Sequence, residues 1–559
     1  MSTHTSPING LTLTTDVLII GGGPAAAWAA LAATRNGAKV VIVDKGRHGS
    51  SGALAASTAG PRILPNEKEL RDPVKFERYA LGGHLANHAW WDRILDLAFE
   101  YGPQVYDFGG YDRPPLPKPG KKRGGGAYGV GGLQGPEVMR IMRQQVLKAG
   151  VTVLDHSPAL ELLVAEDGSV AGARGIQRQE NREWTVRATS VVLASGGCAW
   201  LSKALGCNTN TGDGLLMAVE SGAELSGMEF SSHYAPASVH ASVTKGAYYR
   251  YASFTDEAGN PLPGASKDGH RSTSSIAKGL LKGKVFAQLN LGTADPRVRE
   301  MLRLGQPNFF AQFDKAGIDP FEQRFEFTLI LEGTVRGTGG IRLVTEDCGT
   351  TVKGLYAAGD AATRELVCGG FTGGGGPNMT WAIGSGNLAG EGAARYAREH
   401  GGEGVHTRPV RATGTAGVRA RNGSSATYDA PAVVKAVQDE VFPYDKNIFR
   451  SEETLLRSLA ILESLWSEVQ SQPLQDTPQH TQRSREAASL VAAARWSYFA
   501  GLNRKETRGI HKRLDYPKLD PEQRHYLAVG GLDKLWVRPE PVTEAVVPEP
   551  ATIPEVVAS

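Results

Sequence analysis

The amino-acid sequence predicts an α/β fold in which two distant stretches of chain contribute to one sheet. The first stretch has an apolar strand at residues 16–20, a turn at Gly21-Gly-Gly23, an alanine-rich helix and a second strand that ends at Asp44. The second stretch, Gly354-Leu-Tyr-Ala-Ala-Gly-Asp360, adds another strand and glycine more than 300 residues later. Strands and helices alternate between the two, which is typical of a twisted sheet covered by helices.

The glycine turn of the first stretch has the spacing of a dinucleotide site. Gly21 permits a tight turn, Gly23 lets a pyrophosphate approach the backbone, and Ala26 keeps the helix close to the sheet. Asp44 ends the second strand, where a carboxylate accepts hydrogen bonds from ribose hydroxyls and repels a 2′-phosphate. The competing interpretation is a glycine-rich turn without a ligand.

Composition and charge narrow the classes of protein. A chain of 559 residues exceeds one hydrophobic core, so two or three domains are expected. The net charge of +3, from 61 basic and 58 acidic residues, argues against a nucleic-acid partner. The basic stretch at residues 118–123 is either a solvated loop or a docking site for an acidic partner.

The spacing of the cysteines and the length of the apolar runs argue against a metal-binding protein and against a membrane protein. Cys198, Cys207, Cys348 and Cys368 lack C-x-x-C spacing, so we predict no metal site, and any iron–sulfur cluster would belong to another chain. No apolar run reaches about 18 residues, and residues 1–15 do not resemble a leader. We therefore expect a soluble cytoplasmic protein without a membrane segment.

The pattern along the chain predicts both its elements and its regions. The elements that it predicts beyond the opening unit are helices at 136–148, 452–469 and 483–499, and strands at 151–155, 159–164, 170–176 and 191–194. The regions are a nucleotide-binding domain in two parts (1–228 and 333–400), an inserted α+β cap (229–332), a linker (401–430), a C-terminal helical region (431–538) and a disordered tail (539–559).

The order of the motifs resembles one family. The motifs are the Gly21 turn, Ala194-Ser-Gly-Gly197, Thr211-Gly-Asp-Gly214 with the segment 221–229, Gly339-Gly-Ile341, the segment 354–360, and Arg504-Lys-Glu-Thr-Arg-Gly-Ile-His-Lys-Arg-Leu-Asp-Tyr-Pro517. Together they resemble the flavoprotein subunits of fumarate reductase and succinate dehydrogenase, with L-aspartate oxidase and the alpha subunit of adenylylsulfate reductase. The resemblance implies a Rossmann-like FAD-binding domain, the inserted cap and a C-terminal helical region.

The resemblance also implies which residues hold FAD. They are Gly21, Gly23, Pro24, Ala25, Ala26, Asp44, Lys45, Ser50, Ser51, Gly52, Ala53, Ala159, Ala194, Gly196, Gly197, Asp213, Gly359 and Asp360. Asp360 alone could equally cap the next helix. Family members that bind flavin covalently use a histidine where this chain has Ser51, and His48 comes three residues early. We therefore expect noncovalent FAD.

At the family's substrate positions the chain departs from the pattern. Lys245 replaces a proton-transferring arginine, Ala247 replaces its acidic partner, and His233 is displaced by one residue. Val335 stands where the family has a substrate histidine, and residues 368–378 replace a signature of the family. The flavin is thus expected to remain while the substrate differs, and dicarboxylate reduction is disfavoured.

Six residues near the expected boundary between cap and flavin are candidates for catalysis: His233, Tyr234, Arg336, Arg364, Lys245 and Arg250. The histidine and tyrosine suit proton transfer and hydrogen-bond donation, and the arginines suit an anionic substrate or a reduced flavin. The alternatives are a packed aromatic pair, salt bridges to Glu332 or Glu365, and exposed cap charges. Residues 506–513 are expected to form structural ion pairs, and Cys368 lacks a nearby base.

Three functions fit these observations. The leading hypothesis is an FAD-dependent oxidoreductase acting on a small, possibly anionic metabolite. The second is a flavin subunit that exchanges electrons with a ferredoxin-like iron–sulfur partner, as adenylylsulfate reductase does, because Ser51-Gly-Ala-Leu-Ala55 is closest to that enzyme. The third is a flavin-binding protein without catalytic activity.

Overall fold

The computed structural model describes residues 10–57, 60–119, 132–244, 246–265, 272–372, 375–419, 429–471 and 477–542. The strands in chain order are β1 Leu11–Ile20, β2 Val40–Val43, β3 Thr152–Leu154, β4 Ala159–Ala165, β5 Val170–Gln177, β6 Arg182–Leu193, β7 Leu225–Ser226, β8 Tyr234–Ser238, β9 Ser253–Asp256, β10 Val285–Gln288, β11 Phe325–Leu331, β12 Gly340–Ile341, β13 Leu355–Ala357, β14 Val410–Ala412, β15 Phe449–Arg450, β16 Lys512–Arg513, β17 His525–Gly530 and β18 Trp536–Pro541. The α-helices are α1 Pro24–Arg35, α2 Lys68–Leu81, α3 His88–Tyr101, α4 Gln104–Gly109, α5 Gly135–Lys148, α6 Asp213–Glu220, α7 Thr273–Leu280, α8 Pro296–Gly305, α9 Pro307–Ala316, α10 Glu365–Cys368, α11 Gly375–His400, α12 Ala430–Val441, α13 Tyr444–Asn447, α14 Glu452–Gln470 and α15 Pro478–Asn503.

The largest sheet contains both of the predicted stretches. Its strand order is β14-β4-β5-β6-β1-β2-β3, and β13 pairs with β6. Strands β1, β2, β3, β6 and β13 run parallel to their neighbours in this set, whereas β4 and β5 form an antiparallel meander that joins β6. The predicted α/β class is confirmed, and β13 brings the second stretch next to the first.

Small residues let the helices above this sheet approach closely. Helix α1 is buried from Ala25 to Ala33 and packs against the sheet and against α11, which also contacts the sheet. A Cβ added to Gly390 of α11 would lie 2.2 Å from the carbonyl oxygen of Ala29, so glycine is needed at this contact. The alanine run that predicted a helix therefore also sets how near α11 lies to α1.

The region between residues 229 and 332 forms a separate antiparallel sheet, with the strand order β8-β11-β10-β9. Helices α7, α8 and α9 accompany this sheet, and aromatic side chains fill the space between them. Phe309 contacts Tyr249 with ring centroids 5.1 Å apart, and Tyr249 contacts Phe327 at 4.9 Å. This arrangement matches the α+β composition expected of the cap.

Four segments differ from the predicted elements. Strand β6 begins at Arg182 instead of residue 191, because its first half alternates buried and partly exposed side chains and lacks a continuous apolar run. Strand β14 lies inside the predicted linker and pairs with β4. Strand β18 includes Pro539, assigned to the tail, because an edge strand tolerates proline. The C-terminal region also contains β15 to β18, so it is not purely helical.

Within the described ranges, none of the helices combines the length and the hydrophobicity that a membrane crossing needs.

Candidate active site

A long cleft opens at the carboxyl ends of the parallel strands. Its walls include Ile20 at the end of β1, Val43 at the end of β2, Ala194 just after β6 and Gly359 just after β13. This edge is where open α/β sheets bind their ligands. Both predicted stretches therefore contribute to the same cleft.

The glycine turn forms the floor of the cleft at the start of α1. Gly21 has a φ of +127°, and a Cβ there would lie 2.2 Å from the carbonyl oxygen of Ala194. A Cβ on Gly22 would lie 2.1 Å from Oδ2 of Asp44, whereas nothing lies within 4 Å of a Cβ on Gly23. The space beside Gly23 faces the N-terminus of α1, which carries partial positive charge and free N–H groups suited to a phosphate.

One end of the cleft carries a set of acidic and basic groups. Asp44 is 5% exposed and accepts a hydrogen bond of 2.5 Å from the hydroxyl of Ser51. The Lys45 ammonium donates to Thr211 at 2.6 Å and forms ion pairs with Asp213 at 2.8 Å and with Glu486 at 2.7 Å. Burial alone would lower the pKa of Lys45, but Asp213 and Glu486 together raise it above its usual value.

Fifteen of the eighteen residues predicted to hold the cofactor line this cleft. They are Gly21, Gly23, Pro24, Ala25, Asp44, Lys45, Ser51, Gly52, Ala53, Ala159, Ala194, Gly196, Asp213, Gly359 and Asp360. Ala26 is buried within α1, Ser50 is exposed and donates to the carbonyl of Arg47, and Gly197 packs against Thr334. These three do not line the cleft.

Several polar residues of the cleft were not predicted. The buried hydroxyl of Ser195 lines it and makes no hydrogen bond within the described part of the chain. Asn210 and Ser57 also line it, as does Asn378 in the first turn of α11. Ser195 lies inside the motif that predicted Ala194 and Gly196, so the signal was present; Asn378 follows a run of glycines without a pattern of its own.

Arg336 and Glu332 form the charged group at the other end of the cleft. Arg336 lines the cleft, is 7% exposed and has its Nε 3.4 Å from Oε2 of Glu332. Nη1 of Arg336 is buried and has no hydrogen-bond partner among the described residues. Oε1 of Glu332 accepts a hydrogen bond of 2.6 Å from Thr244. The predicted salt bridge to Glu332 is thus present, yet it leaves part of the guanidinium without a partner.

Arg364 lies behind the cleft wall. Its fully buried guanidinium contacts Asp360 and Gly337, and it donates to the carbonyls of Thr334 at 2.9 Å and Val335 at 3.0 Å. Asp360 itself lines the cleft. Arg364 therefore fixes the loop that carries Arg336 and orients Asp360, and it does not line the cleft.

Three other catalytic candidates, His233, Tyr234 and Arg250, are not among the residues that line the cleft. The Tyr234 hydroxyl donates to the carbonyl of Val441 at 2.7 Å, and burial raises the pKa of this phenol well above its usual value. His233 is buried, and its carbonyl accepts a hydrogen bond of 2.9 Å from the Glu332 amide. Arg250 is exposed on the cap, and Lys245 lies outside the described residues. Tyr234 thus has the packed structural role that was its alternative.

Other expectations concern the C-terminal motif and residue His48. Arg508 pairs with Glu506, and Arg513 pairs with Asp515 at 2.7 Å, so the expected ion pairs are present. They lie in loops and in β16. His48 is fully buried behind the glycine turn, where Nδ1 lies 3.0 Å from the carbonyl oxygen of Gly22.

Comparison with known proteins assigns the chain to a family. Residues 16–376 match the protein family described as FAD binding domain, and residues 439–550 match the one described as Fumarate reductase flavoprotein C-term. The chain belongs to the fumarate reductase flavoprotein family. This flavoprotein is therefore an FAD-dependent oxidoreductase of the group that includes succinate dehydrogenase, fumarate reductase and aspartate oxidase, which confirms the family, the enzyme class and the cofactor predicted from its motifs.

Relatives align with this flavoprotein along nearly its whole length. L-aspartate oxidase of Mycobacterium tuberculosis is 27% identical over 556 residues, with 93% of this chain and 95% of that protein covered. One of the subunits of the fumarate reductase (CoM/CoB) of Methanothermobacter marburgensis is 26% identical, with 92% and 97% covered.

Solved structures share the fold. A variant of the quinol fumarate reductase flavoprotein of E. coli superimposes with a TM-score of 0.77 at 21% identity, covering 96% of this chain and 98% of that one. Adenylylsulfate reductase of Archaeoglobus fulgidus gives 0.74 at 20% identity, covering 97% and 98%.

The residues of the cleft fit FAD. The open space at Gly23, the carboxylate of Asp44 and the buried Ser195 hydroxyl, which has no hydrogen-bond partner among the described residues, supply groups that a dinucleotide would use. The cleft also extends past Gly359 to Asn378 and Arg336, which gives it a second end beyond the glycine turn.

Proposed function

We propose that this flavoprotein oxidises or reduces a small anionic metabolite that binds at the Arg336 end of the cleft. The observation that carries the proposal is the buried guanidinium of Arg336, whose Nη1 has no hydrogen-bond partner in the described ranges. A buried donor without an acceptor costs free energy unless a ligand supplies one. A planar guanidinium pairs well with a carboxylate or a similar oxyanion, so we infer an anion.

The relatives support an acidic substrate class. L-aspartate oxidase and fumarate reductase are named for aspartate and fumarate, which both carry carboxylates. The chain lacks the family's histidine at Val335 and its proton-transferring arginine at Lys245. The proposal is therefore an anion held by Arg336, with a clamp that differs from that of the dicarboxylate enzymes.

The proposed roles of the chain's residues follow their positions. Asp44 would accept hydrogen bonds from the ribose, and Gly23 with the N-terminus of α1 would hold the pyrophosphate. FAD, when bound, supplies the two-electron redox chemistry. Arg336 would orient the anion, and Glu332, which pairs with it at 3.4 Å, would hold the guanidinium in place.

We also propose that FAD is bound noncovalently. The segment Ser51, Gly52, Ala53 and Leu54 lines the cleft without a histidine, and the buried ring of His48 points at the Gly22 carbonyl and does not line the cleft. Precipitation of the protein with acid should release all of the yellow colour into the supernatant. Colour that stays with the pellet would contradict this assignment.

The test of the substrate class is an anaerobic titration of the FAD-loaded protein. Flavin bleaching is followed with succinate, aspartate, sulfite plus AMP, NADH and reduced ferredoxin in turn. We expect one anionic metabolite to bleach the flavin, and Arg336→Met to raise the concentration needed by about 10- to 100-fold without altering the FAD spectrum. Arg457→Met, on the exposed face of α14, is the matched control and should leave the metabolite concentration needed for bleaching unchanged. Equal bleaching of the Arg336 variant would overturn the proposal.

A second candidate is a flavin subunit that works with a ferredoxin-like iron–sulfur partner. The segment 51–55, which resembles adenylylsulfate reductase, lines the cleft through Ser51 to Leu54. All four cysteines are buried single thiols, so the cluster would belong to the partner. Bleaching by reduced ferredoxin alone would favour this candidate. Failure of every reductant would favour the third, a flavin-binding protein without activity.

A further inference from the structure

A second cavity, of about 550 Å³, lies apart from the flavin cleft and shares no lining residue with it. Five parts of the described chain enclose it: the start of α3, the segments around residues 342–346 and 363–366, β7, and the β17–β18 pair. Its volume is within the range of small-molecule sites. Neither the family assignment nor the proposed substrate site uses this cavity.

A buried carboxyl group lines the cavity. Glu365 is 1% exposed, and its Oε1 contacts the hydroxyl of Ser226, which also lines the cavity. Its Oε2 accepts no hydrogen bond from any residue in the described ranges. A Cβ added to Gly227 would lie 2.9 Å from this oxygen, so a larger residue at position 227 would crowd it. A buried acceptor without a donor is costly, so a ligand that brings an N–H group would remove that cost.

The other residues that line the cavity indicate the chemical character of the rest of the ligand. Trp90, Leu343, Leu366 and Pro541 give the cavity apolar surface. The Tyr526 hydroxyl is already engaged, since it donates to the carbonyl of Leu85 at 2.7 Å. An apolar body of modest size would fill this space and exclude water from the carboxyl group.

The arginines of the cavity are paired with carboxylates. Arg93 forms an ion pair with Glu346 at 2.6 Å, and Arg342 forms ion pairs with Glu224 at 2.6 Å and with Glu540 at 2.9 Å. These pairs neutralise the guanidinium charges, so an anionic ligand would have to displace a carboxylate. The unsatisfied acceptor at Glu365 instead favours a cation.

We propose that this second cavity binds an organic ammonium ion whose N–H groups donate to Glu365 and whose apolar body contacts Trp90 and Leu343. Binding converts Glu365 to its carboxylate, because an ammonium donor stabilises the ionised form.

The ionisation of Glu365 gives the proposal a second signature. Burial and the neighbouring carboxylate of Glu229 raise the pKa of Glu365 to about 8, although Arg504 opposes them, so the free site is mostly protonated at neutral pH. The charged groups around the cavity are the paired Arg93, Glu346, Arg342 and Glu540. Ammonium binding at pH 7 therefore releases close to one proton, and this release falls as the pH rises above about 8.

The experiment is calorimetric titration of the FAD-loaded protein with benzylamine, in two buffers of different ionisation enthalpy. Benzyl alcohol and benzoate are the neutral and anionic controls. We expect one benzylamine per chain with a Kd of about 1 mM or below, proton release near one at pH 7, and at least 10-fold weaker binding of both controls. Absence of benzylamine binding at about 10 mM, or equal binding of benzoate, overturns the proposal.

Two variants locate the site. Glu365→Gln should weaken benzylamine binding at least 10-fold and abolish proton release, whereas Glu453→Gln, on α14 outside the cavity and with a side chain 79% exposed, should change binding by less than about 2-fold. The proton count on the unmodified protein decides the question even where Glu365→Gln fails to fold. Proton release that persists in a folded Glu365→Gln protein would contradict the assignment.

Discussion

Replacing Lys45 by methionine tests how the end of the cleft that contains Asp44 and Lys45 is held together. Lys45 Nζ lies 2.8 Å from Asp213 and 2.7 Å from Glu486, and all three side chains are 16–17% exposed. Loss of the cation leaves two nearly buried carboxylates without a counter-charge. Removal of one partner from a buried ion pair costs about 3–5 kcal/mol, and the partial exposure here places the expected loss near the lower limit.

The assay is urea denaturation of FAD-free protein, since bound FAD would add its own stabilisation. We expect the free energy of unfolding to fall by about 3 kcal/mol for Lys45→Met, against less than about 0.5 kcal/mol for Lys435→Met. Lys435 is the matched control because it pairs with Asp439 on the surface, where its side chain is 68% exposed. A loss below about 1 kcal/mol for Lys45→Met would refute the reasoning.

The loss of unfolding free energy caused by Lys45→Met should depend on pH in a direction set by the pKa of Lys45. The raised pKa of Lys45 means that its contribution is fully present below the unfolded value of about 10.4 and is lost as the pH rises through the folded value. The difference between wild type and Lys45→Met should therefore be constant from neutral pH to about 10 and shrink above it.

Three further changes test other parts of the structure. Gly23→Ala should leave the free energy of unfolding of the FAD-free protein unchanged, because nothing lies within 4 Å of the added Cβ. The same change should raise the FAD Kd, measured by fluorescence titration, by about 10- to 100-fold. Gly283→Ala is the control, because a Cβ at that position also has nothing within 4 Å. Arg485→Met should cost about 3–5 kcal/mol in urea denaturation, because it strands the buried carboxylate of Glu220. Asp515→Asn should lose stability near neutral pH, and the deficit should shrink as the pH falls from about 5 and be lost below about 2, because hydrogen bonds from Arg513 lower the pKa of Asp515 to about 2; a deficit at pH 2 as large as that at pH 7 would contradict this.

The sequence predicted the parts of the cleft that depend on local pattern. The Gly21 turn and the strand that ends at Asp44 follow from residue types and spacing within about 30 positions, which is the range over which such patterns are informative. Gly359 and Asp360 were predicted from a motif whose strand was expected to join the same sheet, and β13 does pair with β6. The fold class followed from the same observations.

The contacts that the sequence did not predict are long-range. Glu486 lies more than 400 residues from Lys45, and its neighbours in sequence read as an ordinary helix. Arg364 resembles a substrate-binding arginine in its motif, but the conformation of residues 333–337 turns their carbonyls toward it. Such pairings arise from packing, which a single sequence does not specify locally.

The placement of β13 beside β6 bears on the order in which the molecule is made. At a synthesis rate of about 5–20 residues per second, about 20–70 s separate translation of Asp44 from that of Asn378, and both line the cleft. Once β6 has been made and until β13 follows, the edge of β6 that receives β13 has no strand beside it. One wall of the cleft does not yet exist in this period. The walls of the cleft therefore exist together only after Ala382 has been made, and a nascent chain stalled in the cap would expose an unpaired strand and an incomplete cleft.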